Sequence, residues 1–221
     1  MIRALIFDFD GLILDTETAL IDAYEEMHRR HEAPFDRRQF LQAVGQADYD
    51  FDPWAAVAQL VGEEKIDRTE LERARRVLAH GIQYTQPLRP GIKKTIEDAF
   101  DAGYHLGVAS NSPHSWVDNH LKRLELYHFF EVIRCRDDVK NPKPAPDLYL
   151  AACAYFGLQG RDCLALEDSA HGVHAAKAAG LWCVAIPNPS TEHHDLSHAD
   201  VKIVSLEETP LEKVLSKLGR P

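Results

Sequence analysis

Two aspartates stand two residues apart at the end of an apolar run near the start of the chain. Asp8 and Asp10 follow the segment Ile2 to Phe7, in which five of six residues are apolar. Such a run predicts a strand buried on both faces of a sheet, and ligands of open α/β sheets bind beyond the carboxyl ends of the strands. A carboxylate pair there could bind Mg²⁺, attack as a nucleophile or exchange protons. The motif alone also fits a strand that runs into an acidic turn.

Three later stretches place further reactive side chains directly after an apolar strand or in a stiff loop before a helix. In chain order, these side chains are Ser110 and Asn111, Lys143, and Glu167 and Asp168. Hydroxyl, amide and ammonium groups donate hydrogen bonds to phosphate oxygens, and carboxylates bind hard cations. The four stretches together therefore predict one site that can bind both a phosphate group and a metal ion.

In order and residue type, these motifs resemble those of the haloacid dehalogenase superfamily, and in particular its small phosphatases and β-phosphoglucomutase-like enzymes. The motifs extend from Asp8 to Gly172, and the tail from Asn188 to Asp200 is also typical of the family, so the resemblance covers essentially the whole chain. It implies a phosphoric monoester hydrolase with a Rossmann-like α/β core and an inserted helical cap domain. Asp10 favours phosphate esters, because the branches of the family that cleave halides or phosphonates lack an aspartate at this position.

The resemblance also implies roles for the motif residues. Asp8 would attack phosphorus to form an aspartyl-phosphate, and Asp10 would protonate the leaving alkoxide and then activate water. Lys143 would neutralise the nucleophile and the transferring phosphoryl group. The implied phosphate-binding residues are Gly11, Ser110, Asn111 and Lys143. The implied Mg²⁺ ligands are Asp8, the backbone carbonyl of Asp10, Asp168 and, as a further ligand or an outer partner, Glu167.

The elements that must position these residues change in character along the chain. From Pro90 onward, strand and helix patterns alternate, with three glycines expected to end helices: Gly103, Gly157 and Gly180. This alternation predicts a doubly wound parallel sheet. Ser112 and Pro113 are typical of an N-cap and the first residue of a helix.

Between the first strand and Pro87 the pattern is helical only. Asp36 and Asp52 are expected to open two helices, and Asp67 a third that ends at about Leu78. We therefore predict an α/β core domain at residues 1–16 and 86–221, and an α-helical cap domain at residues 17–85.

Two acidic residues of the predicted cap are candidates for contact with the alcohol part of a substrate. Glu17 lies at the entry to the cap, where the helix dipole also favours a carboxylate. β-Phosphoglucomutases carry an arginine about three residues after the glycine that corresponds to Gly45, and this chain has Asp48 there. A carboxylate would repel a second phosphate, which favours a phosphatase of the sugar or polyol phosphate class. A phosphomutase and a non-catalytic binding protein on the same fold are the alternatives.

Composition limits the partners. The 221 residues carry a formal net charge of −10, which disfavours nucleic acid and anionic membranes as partners. We expect neither a signal peptide nor a membrane-spanning segment. The four cysteines are dispersed and predict buried free thiols in a reducing compartment. The expected protein is a cytoplasmic monomer that uses Mg²⁺ and binds a small phosphorylated metabolite.

Overall fold

The computed structural model describes residues 1–43 and 52–219. The chain divides into two compact units, one of Met1–Asp15 with Pro87–Pro221 and the other of Thr16–Gln86. The described helices are α1 (Thr16–Arg30), α2 (Arg37–Ala43), α3 (Ala55–Val61), α4 (Arg68–Thr85), α5 (Ile92–Asp101), α6 (His114–Arg123), α7 (Asp147–Phe156), α8 (Ala170–Ala178) and α9 (Leu211–Lys217). Single turns of 3₁₀ helix lie at Glu63–Lys65, Tyr127–Phe129, Arg136–Asp138 and Gly160–Asp162.

The first unit is built on a parallel sheet. Its strands are β1 (Ala4–Phe7), β2 (His105–Ser110), β3 (Val132–Cys135), β4 (Cys163–Glu167), β5 (Trp182–Ala185) and β6 (Val201–Lys202). Their order across the sheet is β3-β2-β1-β4-β5-β6, and all the paired strands run parallel. The chain order reverses direction at β1, which is the arrangement of a doubly wound fold. The predicted fold class is confirmed.

Both faces of this sheet are covered by helices. Leu5 and Phe7 of β1 belong to a core that includes apolar residues of α5, α6 and α9. Ala4 and Ile6 pack on the other face with residues of α7 and α8. Because successive side chains of a strand point to opposite faces, β1 is buried along its whole length. Its polar chemistry is therefore confined to the residues that follow its carboxyl end.

Glycine ends three of the helices that cover the sheet. Gly103, Gly157 and Gly180 have φ angles of 80°, 65° and 79°, in the left-handed region that favours glycine. Each follows α5, α7 or α8 at the point where the sequence predicted a helix end. The predicted alternation of helices and strands is confirmed there.

In the second unit, α4 is longer than the sequence predicted. The Asp67 side chain accepts hydrogen bonds from the backbone N–H groups of Thr69 and Glu70, as expected of an N-cap. The helix then continues to Thr85, so the expected end near Leu78 is wrong. Ala79 is still buried beyond that point, and packing against α1 outweighs the cost of about 1 kcal/mol for Gly81 inside a helix.

An aromatic cluster fills part of this helical unit. Trp54 is buried, and its ring stacks on that of His28 with centroids 5.6 Å apart. Tyr24 lies 5.2 Å from the same indole ring. Trp54 therefore belongs to the core of this unit, with Val57 and Leu71 as neighbours.

No helix in residues 1–43 or 52–219 has both the length and the apolar character needed to cross a bilayer.

The four cysteines are all buried and free of disulfides: Cys135, Cys153, Cys163 and Cys183. This confirms the prediction of buried free thiols.

Candidate active site

The carboxyl ends of β1 and β4 bring three acidic residues together. Phe7 of β1 pairs with Leu166 of β4, and the backbone N–H of Asp8 donates to the Leu166 carbonyl at 3.0 Å. The residues that follow on the two strands are therefore neighbours. Asp8, Glu167 and Asp168 are buried, and one carboxylate oxygen of each lies within 4.8 Å of the others.

Lys143 places a positive charge within this acidic cluster. Its Nζ donates to Asp8 Oδ1 and to Glu167 Oε1, both at 2.5 Å, and its side chain is buried. Burial raises the pKa of Asp8 well above its usual value, Lys143 opposes that rise, and Glu167 adds to it. Burial disfavours the charged form of Lys143, but the two carboxylates outweigh burial and raise its pKa. Lys143 is therefore held as an ammonium group.

Tyr149 completes the surroundings of this lysine. Its hydroxyl donates to Glu167 Oε1 at 2.5 Å, and its ring centroid lies 5.1 Å from Lys143 Nζ. Burial and the negative charge of Glu167 raise the pKa of Tyr149 well above its usual value, so the phenol stays protonated as a donor. This contact was not predicted from the sequence, because a tyrosine on an apolar helix predicts only packing.

The Asn111 side chain forms hydrogen bonds with the backbone of Lys143. Its Nδ2 donates to the Lys143 carbonyl at 2.9 Å, and its Oδ1 accepts from the Lys143 backbone N–H at 2.8 Å. The amide thus fixes the backbone of Lys143, and the second hydrogen of Nδ2 and the Asn111 backbone N–H are the groups that this residue could offer to phosphate. Ser110 lies beside it and is buried; its Oγ accepts from the backbone N–H of Ser112 at 3.0 Å.

Gly11 makes room for the acidic cluster. Its φ angle of +84° is in the left-handed region, and a Cβ at this position would lie 2.2 Å from Asp168 Oδ2. Its N–H donates to the Leu14 carbonyl at 2.7 Å, so this group closes the turn after β1. The position requires glycine because both the backbone conformation and the space exclude a side chain.

Asp10 has different neighbours from Asp8, although the two are separated by only Phe9. Ser112 Oγ donates to Asp10 Oδ2 at 2.6 Å, and the indole Nε1 of Trp116 donates to Asp10 Oδ1 at 2.9 Å. Ser110 Oγ lies 3.4 Å from Asp10 Oδ2. These donors are uncharged, and they come from the end of β2, the connection that follows it and the first turn of α6.

The expected capping role of Ser112 is wrong. Helix α6 begins at His114, and Pro113 occupies its N-cap. Ser112 lies one residue earlier, and its hydroxyl donates to Asp10 Oδ2 instead of accepting from the first turn of the helix. The local sequence suits a cap, but the carboxylate of Asp10 is the stronger acceptor for this hydroxyl.

Two further residues hold the turn after β1 against the end of β5. Asn188 Nδ2 donates to Asp168 Oδ2 at 2.9 Å and to the Gly11 carbonyl at 3.2 Å. Arg89 donates to the same Gly11 carbonyl and to the carbonyls of Ile186 and Pro187. Neither role was predicted from the sequence; the resemblance of the tail around Asn188 to the family was the one available signal.

The acidic cluster fits a hard divalent cation. Three carboxylates and one ammonium leave two negative charges uncompensated when Asp8, Lys143, Glu167 and Asp168 are all ionised. The candidate ligands are oxygen atoms, which Mg²⁺ prefers. A Cβ at Gly172 would lie 1.9 Å from Glu167 Oε2, so the space around that carboxylate is kept clear by glycine. Glu167 Oε1 accepts from both Lys143 and Tyr149, whereas Oε2 accepts from the Asp168 backbone N–H at 3.3 Å, so Oε2 is the better candidate ligand atom.

The two candidate specificity residues belong to the predicted cap. Glu17 is in the first turn of α1, within the helical unit. Asp48 and Gly45 lie outside the described residues. Their contacts with a substrate remain predictions.

Comparison with known proteins gives a consistent assignment. Residues 5–186 match the family described as haloacid dehalogenase-like hydrolases. YhcW of Bacillus subtilis (strain 168) is 38% identical over 219 residues, which cover 99% of each chain, and it is named as a phosphatase. Hexitol phosphatase B of Escherichia coli (strain K12) is 30% identical over 226 residues, which cover 97% of each chain.

Solved structures show the same architecture. CbbY of Rhodobacter sphaeroides, in a complex with phosphate, has a TM-score of 0.68 and 28% identity, with 94% of this chain and 96% of CbbY covered. A second CbbY structure contains xylulose-(1,5)bisphosphate and has a TM-score of 0.69. A Thermotoga maritima structure described as a β-phosphoglucomutase has a TM-score of 0.77 at 24% identity, with 94% of this chain and 96% of that chain covered, and shows the likeness of fold alone.

Proposed function

Because this chain belongs to the haloacid dehalogenase-like hydrolases and is a phosphoric monoester hydrolase, we propose that it hydrolyses sugar or polyol phosphates with Mg²⁺ through an aspartyl-phosphate. The observation that carries this proposal is that two neighbouring carboxylates, Asp8 and Asp10, lie in different environments. Asp8 lies buried beside Lys143 and Asp168, whereas Asp10 is partly exposed among neutral donors. One is suited to attack phosphorus and the other to carry a proton.

In the first step, a carboxylate oxygen of Asp8 forms a bond to phosphorus while the bond from phosphorus to the alcohol oxygen breaks. Asp10 gives its proton to the departing alkoxide, which leaves as a neutral alcohol. In the second step, Asp10 takes a proton from water as the water oxygen attacks phosphorus. The bond between Asp8 and phosphorus then breaks, and inorganic phosphate leaves with both aspartates restored.

Lys143 and a bound metal ion would share the stabilisation of charge. The Lys143 ammonium holds Asp8 in place and lies where negative charge gathers on the transferring phosphoryl group. Asp8, Asp168 and the Asp10 backbone carbonyl would hold Mg²⁺, with Glu167 as a further candidate ligand, and the ion would add positive charge at the phosphoryl oxygens. Ser110, Lys143 and the amide groups of Asn111 are the candidate phosphate-binding groups, and Gly11 keeps the turn after β1 free of a side chain.

The substrate class rests on the relatives. One is named a hexitol phosphatase, and CbbY binds phosphate in one structure and a ketopentose bisphosphate in another. We propose that residues 17–85 are the cap domain and that Glu17 and Asp48 contact the alcohol part of the substrate. Monomeric assembly stays a prediction, and the four free thiols favour a reducing compartment such as the cytoplasm.

The test is phosphate release from a panel of hexitol, hexose, pentose and nucleoside monophosphates, with Mg²⁺ and with EDTA. We expect turnover of polyol and sugar phosphates that EDTA abolishes and that added Mg²⁺ restores. An Asp8→Asn sample purified in parallel measures any contaminating phosphatase. Phosphorus NMR of glucose 1-phosphate separates the alternatives: free phosphate supports a phosphatase, glucose 6-phosphate a phosphomutase, and no product with any ester a binding protein.

A further inference from the structure

Trp116 forms a hydrogen bond with Asp10 that has no part in the mechanism proposed above. Its indole Nε1 donates to Asp10 Oδ1 at 2.9 Å. The other oxygen of Asp10, Oδ2, faces the hydroxyls of Ser112 at 2.6 Å and Ser110 at 3.4 Å. The two oxygens of this carboxylate therefore have partners of different chemistry.

The difference between these partners decides which oxygen can carry a proton. An indole N–H only donates, so Oδ1 must stay an acceptor for as long as this contact holds. A serine hydroxyl both donates and accepts, and its hydrogen rotates freely. Oδ2 can therefore alternate between accepting from Ser112 and bearing a proton of its own, without the loss of a hydrogen bond.

The indole itself is held in position by the core. The Trp116 ring packs against the apolar core that contains Phe9, and it meets the His120 ring edge-on, with centroids 4.2 Å apart. His120 is buried and lies within 6.1 Å of the Phe9 ring. An indole fixed in this way holds Asp10 Oδ1 in one place, and Asp10 can present only Oδ2 for proton transfer.

We propose that Trp116 is a positioning residue that orients Asp10 as the proton donor and fixes Oδ2 as the oxygen that carries the transferred proton. This inference rests on the proposed function and deepens it. If Trp116 orients the proton donor, its loss should affect two classes of ester differently, according to the basicity of the departing oxyanion. A poor leaving group, such as the alkoxide of a polyol, needs the proton, whereas p-nitrophenolate departs without one.

The test is the ratio kcat/KM for Trp116→Phe with two esters, a hexitol phosphate and p-nitrophenyl phosphate. This ratio reports the steps up to departure of the leaving group. Loss of a hydrogen bond to a charged group predicts a fall of about tenfold to a hundredfold for the hexitol ester. The value for p-nitrophenyl phosphate is expected to stay within about threefold, because its first step bypasses Asp10.

Trp182→Phe is the matched control. Its indole Nε1 also donates one hydrogen bond, to the Arg161 carbonyl at 3.2 Å, on the amino-terminal side of the sheet. We expect this variant to treat both esters as the wild type does. Equal losses for both esters in Trp116→Phe would show that Trp116 serves the fold alone, and no loss with either would show that the contact has no effect on Asp10; each result overturns the proposal.

A spectroscopic measurement keeps the proposal testable if Trp116→Phe does not fold. The chain has three tryptophans, so three indole N–H signals are expected in a ¹⁵N-labelled sample, and Trp54→Phe and Trp182→Phe assign them by elimination. Asp10→Ala removes the acceptor and should move the Trp116 signal upfield while the other two stay in place. An unmoved Trp116 signal would contradict the contact.

These two measurements also separate the inference from the function on which it rests. If the wild type hydrolyses neither ester, the proposed function is wrong, and the indole signal still reports whether Trp116 holds Asp10. If the wild type turns over both esters but Trp116→Phe keeps the wild-type preference between them, only the further inference is wrong.

Discussion

Asp8 and Asp10 are separated by a single residue, yet their surroundings are of opposite kinds. Asp8 is buried among charges, with Lys143 at 2.5 Å and two more carboxylates close by. Asp10 is partly exposed, and its donors are two hydroxyls and one indole. The first site concentrates charge, and the second offers neutral hydrogen bonds.

The difference arises from which strand supplies the neighbours. Asp8 directly follows β1 and meets the end of β4, where Glu167 and Asp168 lie. Asp10 lies two residues further, and it meets Ser112 in the connection between β2 and α6 and Trp116 in the first turn of α6. A parallel sheet thus gives two adjacent carboxylates two different environments, and different environments are what a nucleophile and a proton carrier need.

The largest expected effect comes from a substitution of Asp8, the carboxylate that lies among charges. Asp8→Asn removes the nucleophile and weakens a metal ligand, and we expect a loss of kcat on the order of 10⁴-fold or more. The amide has the same shape and relieves repulsion from Glu167, so the midpoint of thermal unfolding should not fall by much. Phosphate release and thermal unfolding measure the two quantities. More than a few per cent of wild-type turnover in a clean sample would rule out the assigned role.

Substitution of Asp10, the carboxylate among neutral donors, should cause a smaller loss of activity that depends on the substrate. Asp10→Asn keeps the backbone carbonyl but cannot transfer a proton, and general acid–base catalysis typically contributes about 10²–10⁴-fold. We expect a loss of this size for sugar and polyol esters, with the pH–rate profile losing one limb. Similar rates and an unchanged pH profile in this variant would contradict the role of Asp10.

The hydrogen bond from Asn188 to Asp168 predicts a third, intermediate effect, on the affinity for Mg²⁺. Asn188→Ala removes the donor to Asp168 Oδ2, and loss of such an outer partner typically weakens metal binding by about tenfold to a hundredfold. Calorimetric titration with Mg²⁺ measures this without turnover. Asn119→Ala is the control, since that exposed amide donates to the Ser115 carbonyl of its own helix, α6. Equal Mg²⁺ affinity in the wild type and Asn188→Ala would show that Asn188 does not orient Asp168.

The smallest expected effect concerns the start of α6, which carries Trp116. Burial opposes the charged form of His114, but hydrogen bonds to Asp138 and Asp118 outweigh it and raise its pKa. Its stabilising contribution is therefore full below the unfolded pKa of about 6.5 and is lost as pH rises through the higher folded value.

This contribution can be measured against His114→Gln. The His114 side chain is 36% exposed, so we expect at most about 1 kcal/mol in the free energy of unfolding. The difference between the wild type and the variant should be largest near about pH 6 and vanish toward about pH 9. A difference that is constant with pH would show that the ion pairs do not contribute.

Much of the fold and the site could be predicted from the sequence, because the motif residues other than Lys143 lie at or just after the carboxyl end of a strand. Strand ends are visible as apolar runs, and parallel strands bring their carboxyl ends to one edge. That reasoning placed Asp8, Glu167 and Asp168 together, as the structure does. The glycines after α5, α7 and α8 gave helix ends for an equally local reason, the left-handed backbone conformation.

The parts that could not be predicted depend on partners distant in the chain. Trp116 lies 106 residues from Asp10, and on the sequence it is one more apolar position of a helix. Ser112 carried a strong local signal for a cap, which the carboxylate of Asp10 overrides. Asn111 was recognised as a site residue by its type, but the sequence could not show that its side chain binds the backbone of Lys143.

The most direct test of the division between Asp8 and Asp10 is a pre-steady-state measurement on Asp10→Asn with p-nitrophenyl phosphate. This ester does not need the proton donor, so the first step should proceed, while water attack without the base should be slow. We predict a burst of about one nitrophenol per enzyme and, after acid quench, one phosphoryl group on the peptide that contains Asp8. No burst with steady slow release, or a phosphoryl group on a peptide without Asp8, would contradict the account.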